Sequence, residues 1–186
     1  MKGPLFSGAV GHRHTLERLD ALARGRGAVV VLSNIWLAAA LCAGGPVHLV
    51  VEARRQRTAL RARRRAERLG HTLTVSLAAE ALPFRPRALG ALIVDDLAEL
   101  ASDELHDFVR SLLPFIAEAG LLLSLDSTKE PRVESRIAGA FLAFGLVGLG
   151  QERPREGALL TLGASAAEPV VRTLAAVYDQ AERAAL

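Results

Sequence analysis

The sequence predicts an α/β protein with a Rossmann-like, open, mostly parallel seven-stranded sheet. Helices cover both faces, and a C-terminal antiparallel hairpin completes the sheet. Three observations carry this prediction. Short strand-like runs alternate with longer amphipathic segments along most of the chain. Ala28–Leu32 and Val47–Val51 are apolar throughout, as expected of parallel strands buried on both faces. Acidic residues close the runs at Glu52, Asp95-Asp96 and Asp126, which places them at the strand ends where open α/β sheets bind ligands.

The elements follow in order. Residues 1–13, with Gly3, Pro4, Gly8 and Gly11, read as an irregular lead-in. From His14 to Arg24, Leu16, Leu19, Leu22 and Ala23 recur at helical spacing, Thr15 is the candidate N-cap, and Gly25 or Gly27 ends the helix. The first strand, Ala28–Leu32, runs into an Ala-rich helix from Ile35 to Ala43 that Gly44-Gly45-Pro46 stops. The second strand is Val47–Val51. A helix from Arg54 to Leu69 ends at Gly70, and Leu73–Leu77 is the third strand.

Pro83 and Pro86 mark a loop before the fourth strand, Ala91–Val94. Asp103 is the expected cap of a helix from Glu104 to Ala117, with Leu105, Phe108, Leu112 and Leu113 as its apolar stripe. Gly120 is expected to end that helix, and Leu121–Leu125 to form the fifth strand. A helix from Pro131 to Phe144 follows, then strands Val147–Glu152 and Ala158–Leu162 around a Pro154–Gly157 turn. The C-terminal stretch 165–186 reads as a helix, with Pro169 near its start.

At 186 residues, the chain is the size of one domain with a substantial core. The longest apolar run, Ile35 to Ala43, has nine residues, well short of the roughly 20 that span a bilayer. No basic stretch followed by a long apolar one opens the chain, so no signal peptide is expected, and the reading is cytoplasmic. Cys42 is the one cysteine; it excludes an intrachain disulfide and reads as a small buried hydrophobe. Arg greatly outnumbers Lys, the imprint of a GC-rich genome, which weakens arguments from arginine to function.

Two stretches carry a family resemblance. One is Glu80-Ala81-Leu82-Pro83-Phe84 leading into Ala91-Leu92-Ile93-Val94-Asp95-Asp96. The other runs from Phe108 through Leu113-Pro114-Phe115 to Gly120-Leu121-Leu122-Leu123-Ser124. Together with the element order, they resemble the class I S-adenosylmethionine-dependent methyltransferases. The nearest look is to the small-molecule branch related to the ubiquinone-biosynthesis C-methyltransferases. The resemblance covers roughly residues 14–164.

It implies a cofactor site formed by Ser33 and Asn34 after the first strand, Glu52 after the second, Ala79 and Glu80 after the third, and Asp95 after the fourth. Glu52 matches the carboxylate that accepts hydrogen bonds from the cofactor's ribose hydroxyls. No catalytic residue and no metal is implied.

The chain also departs from the pattern. The family's first loop is rich in glycine, which permits positive φ and close approach of backbone to ligand. Here Leu32-Ser33-Asn34-Ile35-Trp36 is shorter and contains none, and Ile35 or Trp36 is expected to add bulk where the ligand would pass. Ala78 stands at the adenine-contacting acid, and Leu89-Gly90 where Phe-Asp is frequent.

Other constellations are less specific. Arg57, Arg61, Arg64 and Arg68 share one face of the helix after the second strand, either as a solvated face or as a track for an acidic partner. The five histidines show no metal-ligand spacing. Adjacent Asp95 and Asp96 point to opposite sides if extended, so they imply no paired acid/base mechanism.

The expectation is therefore a methyltransferase-fold protein that has lost conventional S-adenosylmethionine binding. It would act as an interaction, regulatory or scaffolding subunit, with a protein partner or a second copy of itself. The alternative is an active methyltransferase on a small molecule. A nucleic-acid partner for the arginine helix ranks last, because no recognition motif accompanies it.

Overall fold

A computed structural model describes residues 13–78, 82–126, 130–152 and 159–165. Helix α1 (Arg13–Ala23) leads into β1 (Ala28–Leu32), α2 (Ile35–Leu41) and β2 (Val47–Val51). A 3-10 turn over Ala53–Arg55 precedes α3 (Gln56–Arg68), followed by β3 (Leu73–Leu77) and β4 (Leu89–Asp95). Then come α4 (Ser102–Leu112), β5 (Ile116–Asp126), α5 (Pro131–Ala143), β6 (Leu146–Glu152) and β7 (Leu159–Ser165).

The strands lie in the order β3-β2-β1-β4-β5-β7-β6. Strands β1 to β5 pair in parallel, with Val31 beside both Leu49 and Ile93 and with Ile93 beside Leu123. Strand β7 runs antiparallel to both β5 and β6. Successive strand residues face opposite sides of the sheet, and this alternation divides the core. Val29 and Val31, Leu49 and Val51, and Ile93 pack beneath α1–α3. Val30, Val50, Leu92 and Val94 pack on the other face with α4 and α5, around Phe141.

Several expectations need correction. Arg13 belongs to α1 rather than to the lead-in, and Ser165 to β7 rather than to a C-terminal helix. Ala101, not Asp103, is the N-cap of α4, and the Glu104 side chain accepts from the Ala101 N–H at 3.1 Å. That helix stops at Leu112, because Leu113–Phe115 form a 3-10 turn around Pro114, and Ile116 already pairs with Leu89. Gly120 therefore lies within β5. Strand β4 is longer than expected because Gly90 continues it. A Cβ at Gly90 would lie 1.7 Å from the Arg26 carbonyl oxygen, so only glycine lets these two backbones pass. The lead-in before Arg13, the Pro154–Gly157 turn and the helix expected from Glu168 onward lie outside the described residues.

Among the described residues, no helix is long and apolar enough to cross a membrane.

Candidate functional site

The strand order reverses between β1 and β4, with β2 on one side and β5 on the other. Open α/β sheets bind ligands in the crevice at the carboxyl ends of the strands beside such a switch point. Ser33 and Asn34 leave β1 on one wall, and Asp95 closes β4 on the other.

Only those two residues separate β1 from α2. Ser33 adopts a left-handed backbone, φ 62°, where a glycine would be unstrained. It is held there by its own N–H, which donates to the Val50 carbonyl at 2.8 Å, and by Arg55, whose Nη1 donates to the Ser33 carbonyl at 3.0 Å. Asn34 then uses both ends of its side chain. Its Oδ1 accepts from the Leu37 N–H at 2.9 Å as the N-cap of α2. Its Nδ2 donates to Asp95 Oδ2 at 2.9 Å, directly across the switch point. Burial pushes the Asp95 carboxyl above its usual range, against the opposing pull of the Asn34 donor and the Arg55 charge.

Glu52, at the end of β2, is half-exposed and ion-paired with Arg54. Ala79 and Glu80 lie outside the described residues. The residues expected of a cofactor site are thus divided. Asn34 and Asp95 meet across the switch point, Ser33 is held beside them by Val50 and Arg55, and Glu52 is engaged with its own neighbour.

The expected obstruction by Ile35 and Trp36 is not where the sequence placed it. Trp36 is 62% exposed and lines a groove between α2 and α3 with Ala62 and Arg65, and Ile35 lines the same groove. The crevice is crossed instead by the hydrogen bond between Asn34 and Asp95.

The sequence placed Asp126 with Asp95 and Asp96 as an acid at a strand end and singled out no role for Arg136. Asp126 is fully buried; its Oδ1 accepts from the Ala98 N–H at 2.7 Å, and its other oxygen accepts from the Ser124 hydroxyl. Arg136 Nη2 donates to the Ala98 carbonyl at 2.8 Å. Together they fix both backbone groups of Ala98, in the turn that leaves β4. Burial pushes the Asp126 carboxyl up as well. Cys42 is a buried free thiol, and burial raises its pKa. Among the described residues, no group of His, Cys, Asp or Glu is arranged to hold a metal ion.

No family model and no curated protein matches the chain. Solved structures do. An O-methyltransferase family protein from Burkholderia thailandensis is similar with a TM-score of 0.69 at 13% identity, over 84% of this chain and 57% of that one. A geranyl diphosphate methyltransferase in complex with SAM gives 0.58 at 14% identity, over 81% of this chain and 84% of that one. A SAM-dependent methyltransferase from Aquifex aeolicus gives 0.57 at 15% identity, over 81% and 97%. This chain spans little more than half the length of the Burkholderia protein. At these identities the likeness defines the fold, which is that of the class I S-adenosylmethionine-dependent methyltransferases.

Proposed function

We propose that this chain is a methyltransferase-fold interaction or regulatory subunit whose crevice does not hold S-adenosylmethionine in the usual way. The single observation that carries the reading is the Asn34–Asp95 hydrogen bond across the switch point. A ligand entering between β1 and β4 has to break it and leave a half-buried carboxylate without its donor, which costs on the order of 1–3 kcal/mol. The cofactor's carboxylate and ammonium ends need free backbone groups and a pliable loop. Here the loop is glycine-free, the Ser33 carbonyl is engaged by Arg55, and the Leu37 N–H is engaged by Asn34. The residues present do not fit the group.

In this reading the chain is one domain, with β6 and β7 as its C-terminal hairpin. Ser33, Asn34 and Asp95 are closing residues, and the partner is another protein or a second copy. Equilibrium dialysis against labelled S-adenosylmethionine and S-adenosylhomocysteine tests it. Retention no greater than that of a denatured control is expected, and a micromolar Kd overturns it.

A second reading has one observation in its favour. Glu52 ends β2 with an exposed carboxylate, the position that would accept from a ribose, and a structural neighbour is in complex with SAM. The protein would then methylate a small molecule, with Ala79 and Glu80 on the adenine side and positioning supplying most of the rate. The same dialysis experiment decides between the two.

A further inference from the structure

The groove between α2 and α3 stands apart from the crevice. Its floor is made of small side chains, Ala39 and Ala40 from α2 and Ala62 and Ala66 from α3. Trp36 and Leu69 flank it, 62% and 63% exposed, two of the few large apolar side chains left in water among the described residues. Its volume is about 460 Å³. Its lining on the α3 side runs from Thr58 to Leu69, the residue that caps the helix, a span of about 17 Å or three helical turns. Alanine on facing helices leaves a shallow channel into which larger side chains of another helix can fit.

The charge along this channel has one sign. Arg61 and Arg65 line it one turn apart. Among the described residues neither side chain has a salt-bridge or hydrogen-bond partner, whereas Arg54 and Arg63 of the same region pair with Glu52 and Glu67. Two unpaired guanidiniums at this spacing match two carboxylates one turn apart on a facing helix. A solvated arginine face would not need the recessed apolar floor beside it. A nucleic acid would make no use of that floor, and a flat bilayer surface would engage Trp36 and Leu69 but leave the recess between them unfilled.

We propose that the α2–α3 groove docks an acidic amphipathic helix of a partner protein, with its apolar stripe on the alanine floor against Trp36 and its carboxylates on Arg61 and Arg65. This rests on the interaction reading above and names the chemistry of the partner. The groove does not include the crevice residues, so dialysis there and the experiment here fail independently.

Trp36 is the only tryptophan of the chain, which makes its fluorescence a reporter of the groove alone. The probe is a tryptophan-free, amidated three-turn peptide with Leu and Phe along one stripe and Glu one turn apart beside it. Its control carries Lys for Glu. The acidic peptide should shift Trp36 emission to the blue, with a Kd of roughly 10–100 µM that weakens with salt. The Lys peptide should bind about tenfold more weakly or not at all. The double variant Arg61→Glu/Arg65→Glu should reverse that preference, a readout that a misfolded variant cannot give. No shift with the acidic peptide, or equal shifts with both peptides, overturns the proposal. So does a shift produced by anionic phosphatidylglycerol vesicles or single-stranded RNA but not by the peptide.

Discussion

Asn34 concentrates more structure in one side chain than any other residue of the candidate site. It caps α2 and bridges to Asp95, so Asn34→Ala removes two hydrogen bonds at once. The expected loss is about 1–2 kcal/mol, read as a lowered midpoint in urea unfolding; an unchanged midpoint contradicts the role given to it. The same variant removes a donor that stabilises the Asp95 carboxylate, so the Asp95 pKa should move further up, measurable by carboxyl NMR titration. Asp126 offers a second test at this scale. Burial raises its carboxyl in the folded protein, so the native state binds the proton more tightly than the unfolded chain does. Stability from this group is complete below the unfolded pKa and falls as pH rises through the folded one. Asp126→Asn keeps an acceptor for the Ala98 N–H and gains a donor for the Ser124 hydroxyl. Relative to wild type it should become more stable as pH climbs above the usual carboxylate range. A stability difference independent of pH contradicts this.

At the scale of elements, the sequence was legible wherever hydrophobic pattern and local signals agreed. Strands β1, β2 and β3 begin and end at the residues the apolar runs mark, and Pro131 opens α5 as expected. It was illegible where a distant partner decided. Ile116-Ala117-Glu118-Ala119 favours a helix by composition, yet Ile116 pairs with Leu89, and Ala119 takes a positive φ of 57°. Sheet pairing overrides propensity there. Gly90 lay outside the strand expected over Ala91–Val94 but is the residue that lets the strand pass Arg26. Gly90→Ala should therefore cost about 3 kcal/mol, seen as a marked drop in thermal midpoint. A loss under about 0.5 kcal/mol, as for an unconstrained surface site, contradicts the packing described.

Over the whole molecule, alternation of strands and helices sufficed to indicate the fold class, because burial on both faces of a parallel sheet leaves a direct trace in the residues. The site was only half legible. Glu52 and Asp95 were visible as carboxylates at strand ends, and the missing glycines were visible as an absence. The bond that crosses the crevice joins residues 61 positions apart, and no local pattern carries that information. The direction taken by Trp36 was equally hidden, since helix rotation is set by packing against α3. As one domain, the chain should unfold in a single cooperative transition when followed by circular dichroism and by Trp36 fluorescence. Separate midpoints for the two signals contradict that.

The closed crevice is tested most directly by amide NMR of the labelled protein with saturating S-adenosylmethionine. The account predicts that the signals of Ser33, Asn34, Glu52 and Asp95 stay where they are. Saturable shifts concentrated on those four amides would show the ligand between β1 and β4, and would contradict it.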